Sequence, residues 1–208
     1  AAIESLSKLL KVFSRESQFG TPEVINLDKY LMEHYFDGDN YSVDFDTDYK
    51  ALASYGFDIP EVYLNFDFSK GFKAYHEACP DYIEGLNVFI ASDDLKRLCD
   101  NIVFNAIKHG FTDPSRDDYS LFMELTVDQK RDMFQIDFSN NGMPLPKGMD
   151  KNRYGLLGEK AGITGGSGRG GYVVKSIVEH YHGDYDIFMD GEKTVVRILL
   201  PISKQYGE

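Results

Sequence analysis

NIVFNAIKHG at residues 101–110 and GGSGRGGYVVKSIVEHYHG at residues 165–183 decide how this chain reads. In a helix, an i, i+4 spacing stacks Asn101 and Asn105 on one face, and Lys108 follows about one turn later. That face offers carboxamide oxygens to a metal ion and an ammonium to a phosphate. In the second stretch, Gly166, Ser167, Gly168, Arg169, Gly170 and Gly171 form a loop in which most residues lack a Cβ. Such backbone approaches an anion closely, and the helix that opens after it presents unpaired N–H groups at its positive end. Together the two halves imply a divided site for a triphosphate, with carboxamides on one side and main-chain donors on the other.

The chain has 208 residues and a net charge of -12, with an isoelectric point near 4.8. That length makes one domain with a sizeable core, at roughly 100–200 residues per domain. The acidic field repels polyanions, which argues against nucleic acid or an anionic membrane as the main partner and leaves a triphosphate to be held by local donors. The cysteines are Cys79 and Cys99, without motif spacing, and Cys99 falls on the apolar side of the 93–109 helix. Reduced core thiols and a cytoplasmic compartment follow. No apolar run approaches the roughly 20 residues needed to span a bilayer, and the opening AAIESLSKLLKVF has no cleavage-type signal architecture. The expectation is a soluble chain without direct membrane contact.

Ile3, Leu6, Leu9, Leu10 and Phe13 recur at helical spacing over residues 1–19, a stripe that packs on a partner helix, and Gly20-Thr21-Pro22 stops it. Residues 1–20 therefore read as the end of a linker helix leading into a domain that spans 21–208. Val24 and Ile25 form a short strand, and Asn26 caps a helix carrying Leu27, Tyr30, Leu31 and Tyr35. The stretch at about 37–90 is aromatic and acidic, with strand-like pieces YSVDF and EVYLNFDF to which no function attaches. Asn87–Ala91 reads as a strand, Ser92 or Asp93 as a cap, and 93–109 as a helix with Leu95, Leu98, Ile102, Ala106 and Ile107 facing inward. Tyr119–Val127 and Met133–Ser139 alternate and pair antiparallel around Asp128–Asp132. The long stretch from Asn140 to Thr164 suggests a mobile lid. A helix at about 171–182, a strand at 184–189, a turn at Asp190-Gly191 and a strand Thr194–Leu200 complete an α+β pattern. This is a two-layer sandwich in which helices cover one face of a mostly antiparallel sheet.

Taken in order, NIVFNAIKHG, FSNNGMPLP (138–146) and GSGRGGYVVKSIVEHYHG (166–183) resemble the asparagine box and the two glycine boxes of the GHKL ATPases. IVEHYHGDYDI (177–187) and LLKVFSRES (9–17) are most similar to sensor histidine kinases, in which the latter matches the end of the dimerisation helix. The resemblance covers about 90–208 closely, 1–31 loosely and the middle poorly. It implies ATP held between the asparagine-box helix and a lid, with Mg²⁺ bridging the phosphates. On that resemblance Asn105 ligates Mg²⁺, Lys108 meets phosphate, and Gly166, Gly168 and Gly170 give amides to the β- and γ-phosphates. Ser167, Gly171, Asn140 and Gly142 complete the nucleotide-binding boxes. Asn101 stands where self-hydrolysing members carry glutamate, so the obvious base for activating water is gone and transfer to another acceptor is favoured.

One departure falls at the base. Asn140 stands where the family has an aspartate that accepts from adenine's amino group, and Pro144 replaces the usual second glycine. Strand parity turns Asp137 to the other face. Weaker adenine binding and reduced discrimination against guanine are expected. Arg169 reads either as a clamp on the terminal phosphate or as a surface residue, and His109 either as a phosphate contact or as a complement to the helix dipole. Lys160 in the lid is a weaker candidate, and His180 and His182 read as structural. No histidine carries the acidic signature of a phosphoacceptor, so the chain reads as a catalytic fragment or separately encoded module whose lever helix begins at its first residue. Its histidine-containing dimerisation domain would lie upstream or on another protein, with a response regulator further along the relay. A degenerate module without kinase activity is the competing reading, and a gyrase-like clamp is disfavoured by Asn101.

Overall fold

The computed structural model describes residues 19–35, 63–67, 86–113, 115–128, 130–156 and 169–203. The expected helix over 1–19 lies outside these apart from Phe19, as do YSVDF, Cys79, Lys160 and the glycine-box residues Gly166, Ser167 and Gly168.

In chain order the elements are β1 (Glu23–Asn26), α1 (Leu27–Tyr35), β2 (Tyr63–Asp67), β3 (Asn87–Ile90), α2 (Ser92–Asn105), a π-helical turn (Ala106–Gly110), β4 (Ser120–Asp128), β5 (Met133–Asn140), α3 (Lys151–Tyr154), α4 (Gly170–His180), β6 (Asp184–Asp190) and β7 (Lys193–Pro201). The main sheet has the order β2-β4-β5-β7-β6, and β1 pairs with β3 in a separate ribbon. Only the edge pair β2–β4 is parallel; β4–β5, β5–β7 and β6–β7 are antiparallel. The α+β layering expected from the sequence is the one found.

Alternation decides which face of the sheet is covered. Phe134, Ile136, Phe138 and Asn140 of β5 point inward with Leu121, Met123 and Leu125 of β4 and Val196, Ile198 and Leu200 of β7, all buried. On the opposite face Arg197 grips Asp137 with a two-point fork of 2.8 and 2.7 Å. Over the inner face lie α2, through Leu95, Leu98, Cys99, Ile102 and Val103, and α4, through Val173, Val174, Ile177 and Val178. Each large apolar side chain buried there contributes about 1.5–3 kcal/mol, which makes this layer interface the main source of stability.

Turn chemistry follows the sequence. Asn26 Oδ1 accepts the Lys29 N–H at 3.0 Å and caps α1. Asp128 accepts from the Lys130 and Arg131 amides, and Asp132 closes the β4–β5 hairpin at φ 59.

Three expectations are corrected. The cap of α2 is Ala91, with no side-chain hydrogen bond, rather than Ser92 or Asp93. Its carbonyl accepts the Asp94 and Leu95 amides. Of the two acidic residues of the first turn, Asp93 and Asp94, the buried Asp94 is used elsewhere: it accepts from Gly20 N at 2.8 Å, Tyr181 Oη at 2.7 Å and Arg97 Nη1 at 3.0 Å. This hub ties the incoming strand segment to both helices, beside a stack of Phe19 on His180 at 3.7 Å. Second, α2 does not run as α-helix to His109 but widens into the π-turn at Ala106, the kind of bulge that recurs at functional sites. Third, the long connection after β5 carries a helical turn of its own, α3, capped by Asp150 on the Arg153 amide at 2.9 Å.

Candidate functional site

A cleft of about 710 Å³ opens between α2, the end of β5, α3 and the start of α4. Its helix side is made by Asn101, Asn105, Lys108 and His109. The π-turn that carries Lys108 and His109 is the kind of bulge that recurs at functional sites, and both basic residues line the cleft. Asn101 Nδ2 donates back to the Arg97 carbonyl at 2.7 Å, and Asn105 Nδ2 donates to Tyr154 Oη at 3.3 Å. Each carboxamide thereby uses its nitrogen within the protein, and no hydrogen bond among the described residues takes its oxygen, the atom type a hard cation prefers.

Across the cleft, α4 begins against Asn105. A Cβ on Gly170 would lie 2.7 Å from Asn105 Nδ2 and 2.8 Å from Oδ1, so any side chain here would have to push the Asn105 carboxamide out of its place. Arg169 and Gly171 line the cleft beside it. The sequence-separated halves therefore meet at one end of the same cavity, as far as Arg169, Gly170 and Gly171 go.

Tyr154 was invisible to sequence reading, because no motif marks the turn that carries it. Its position is built by α3: Tyr185 Oη donates to the Lys151 carbonyl at 2.9 Å, and the Lys151 ammonium pairs with Asp184. Burial pushes the Tyr154 phenol up to about 12, so it acts as a neutral hydrogen-bonding group. His109 is held below its ordinary value by burial and then by neighbouring Lys108. At neutral pH it is an uncharged imidazole rather than a phosphate-neutralising cation.

The opposite end of the cleft is apolar. Leu121, Phe138, Val196 and Ile187 form the sheet floor, with Met143, Pro144, Leu145 and Pro146 beside them. Its buried polar members are Asn140 and Thr194, 5% and 7% exposed, which face each other across the β5–β7 register. Thr194 could have been found from strand parity with Asn140. Gly142, expected among the nucleotide contacts, is not on the lining; a Cβ there would come within 2.5 Å of the Gly110 carbonyl oxygen, and that close approach accounts for the glycine. His180, in the stack with Phe19, and His182, in a left-handed turn at φ 58, lie off the cleft lining.

A two-layer α/β sandwich whose helix-borne carboxamides meet a glycine-opened helix defines an ATPase-type nucleotide fold. Residues 90–204 match the histidine kinase-, DNA gyrase B- and HSP90-like ATPase family. The chain belongs to that family. Among solved structures it is similar to the catalytic domain of histidine kinase ThkA, with a TM-score of 0.57 at 16% identity over 87% of this chain and 95% of that one. The mycobacterial sensor histidine kinase MprB gives 0.55 at 14% over 88% and 99%. Full-length ShkA in complex with AMPPNP gives 0.59 at 10%, over 90% of this chain but 32% of that one. At such identities the likeness is one of fold. No curated protein matches the chain. Among the described residues, no helix is long and apolar enough to cross a membrane.

Proposed function

We propose that this chain is the ATP-binding catalytic domain of a two-component sensor histidine kinase, which transfers the γ-phosphoryl group of ATP to a histidine on a dimerisation domain. The observation that carries the reading is the contact of the Asn105 carboxamide with Gly170 at one end of a cleft whose other end is an apolar slot. A triphosphate lies at the first end and a flat heterocycle in the second. Asn105 would hold Mg²⁺ through its carbonyl oxygen, with water and phosphate oxygens as the other ligands, and the ion would neutralise charge between the phosphates. Lys108, Arg169 and the amides at the start of α4 position and neutralise the phosphate chain, with Gly166, Ser167 and Gly168 extending that cradle. Phosphoryl transfer asks mainly for such positioning and charge stabilisation. Asn101 contributes no base, which suits transfer rather than hydrolysis.

In this reading residues 1–20 are the end of the linker helix and 21–208 the catalytic domain. The partner is a histidine-containing dimerisation domain, a response regulator receives the phosphoryl group downstream, and the charge of -12 argues against nucleic acid as the main partner. The setting is cytoplasmic, including the inner part of a larger membrane-bound sensor. Asn140 and Pro144 favour a second reading, a degenerate nucleotide-binding or protein-interaction module without kinase activity. Incubation with γ-labelled ATP or GTP, Mg²⁺ and a purified dimerisation domain separates the two. Acid-labile label on the acceptor histidine supports the kinase, and nucleotide binding without transfer supports the module.

A further inference from the structure

The apolar end of the cleft carries its own selectivity. Asn140 sits at the last position of β5, between Leu121 of β4 and Thr194 of β7. With Phe138, Val196 and Ile187 beneath, a planar heterocycle in this slot meets Asn140 and Thr194 as the polar side chains of the sheet floor.

The orientation of the Asn140 carboxamide follows from its neighbours. Its Oδ1 accepts the Gly142 N–H at 3.1 Å, a buried bond. Gly110 is pressed against the same oxygen, since a Cβ there would lie 3.0 Å from it. On the other side Nδ2 makes, among the described residues, a long contact of 3.5 Å to the Thr194 carbonyl. Turning the amide over would set an NH₂ group against the Gly142 N–H, donor facing donor, and would leave a buried backbone amide without its acceptor. A buried donor deprived of its partner is costly, equivalent to about tenfold or more in affinity for any ligand that demands the turn. The group Asn140 presents to a ligand is therefore a donor. A carboxylate at this position would behave oppositely, with one oxygen for Gly142 and a second acceptor for the ligand.

We infer that the site selects a purine nucleoside triphosphate bearing a carbonyl, not an amino group, at C6: a guanine or hypoxanthine nucleotide. The inference rests on the nucleotide reading above and replaces its adenine with a 6-oxopurine. The C6 oxygen accepts from Asn140 Nδ2, whereas adenine's amino group meets a second donor. A 6-oxopurine also carries N1–H, and the Thr194 hydroxyl, which among the described residues donates a weak 3.5 Å contact to Met189 Sδ, can accept it through its oxygen.

The test is competition of GTP, ITP and ATP against a fluorescent nucleotide on the full chain with Mg²⁺, for wild type and Asn140→Asp. The expected result is that GTP and ITP bind wild type at least about tenfold more tightly than ATP and that Asn140→Asp reverses the order. Equal binding of GTP and ITP places the selection at C6 alone; a further advantage of GTP adds its 2-amino group. Wild type binding ATP as tightly as GTP and ITP overturns the inference while leaving the nucleotide site standing. Absence of binding by all three to folded protein overturns the nucleotide reading and this inference with it. If Asn140→Asp does not fold, the wild-type ranking decides, and Thr194→Val is expected to weaken GTP and ITP but not ATP.

Discussion

The Asn105 carboxamide rests on Gly170 so closely that a single added carbon would sit 2.7 Å from its nitrogen and 2.8 Å from its oxygen. One residue belongs to the long helix under the cleft and the other to the first turn of the helix across it. Gly170→Ala must displace the carboxamide. At a helix start alanine is the better helix former by up to about 1 kcal/mol, so the fold should survive. The expected result is a loss of about tenfold or more in Mg²⁺-dependent nucleotide affinity by titration calorimetry, with a melting temperature near that of wild type. Unchanged affinity would show that the contact does not shape the site.

Tyr154 orients Asn105 through one hydrogen bond of 3.3 Å. Tyr154→Phe keeps the ring beside Tyr185 and removes only the hydroxyl. A net hydrogen bond of about 1 kcal/mol predicts a loss of roughly fivefold in nucleotide affinity with Mg²⁺ and a smaller loss without it. Because burial raises the phenol to about 12, the ratio of mutant to wild-type affinity should stay flat between pH 6 and pH 10. A pH-dependent ratio would mean that the hydroxyl titrates and acts otherwise.

Asp94 is 1% exposed and accepts from Gly20, Tyr181 and Arg97. Asp94→Ala strips an acceptor from the part-buried Gly20 amide and from the buried Tyr181 phenol at once. Arg97 remains one-third exposed and can turn to water, which limits the damage. A destabilisation of about 3 kcal/mol in urea unfolding is expected. Since the hub joins Gly20 to the starts of the packing between α2 and α4, trypsin cleavage in the first 20 residues should also accelerate.

His109 gives the protein an acid dependence of definite sign. Its folded pKa lies below the free value of 6.5, through burial first and Lys108 second. Above 6.5 both folded and unfolded imidazoles are neutral and the residue has no effect on stability. As pH falls below 6.5 the unfolded chain takes up a proton that the folded chain resists, so stability drops. His109→Gln should reduce the slope of melting temperature against pH between 6.5 and 5. An unchanged slope would assign the acid dependence to other groups.

The alternation of Met133–Asn140, the apolar spacing of Leu95, Leu98 and Ile102, the Asn26 cap and the Asp128 turn are properties of neighbouring residues, and the elements they mark stand where the sequence puts them. The cap of α2 falls at Ala91, one residue before the Ser92 and Asp93 the sequence offers, because the helix already starts on the Ala91 carbonyl, while Asp94 in its first turn is held by Gly20 and Tyr181, partners 74 and 87 residues away. The π-turn at Ala106–Gly110 ends with Gly110 packed against Asn140 and Gly142, a contact that no local pattern reveals.

Sequence by itself determined the layer architecture and the chemical identity of the groups offered to a ligand, since periodicity, turn residues and side-chain type are encoded locally. Tertiary structure alone decided that Asn105 meets Gly170, that Tyr154 aims its carboxamide, and that the Gly142 amide fixes which end of Asn140 faces the cleft. The first two join segments distant in sequence and are set by how the helices and sheet pack; the third spans only two residues, and it holds because packing buries the Gly142 amide and leaves a donor that needs its acceptor.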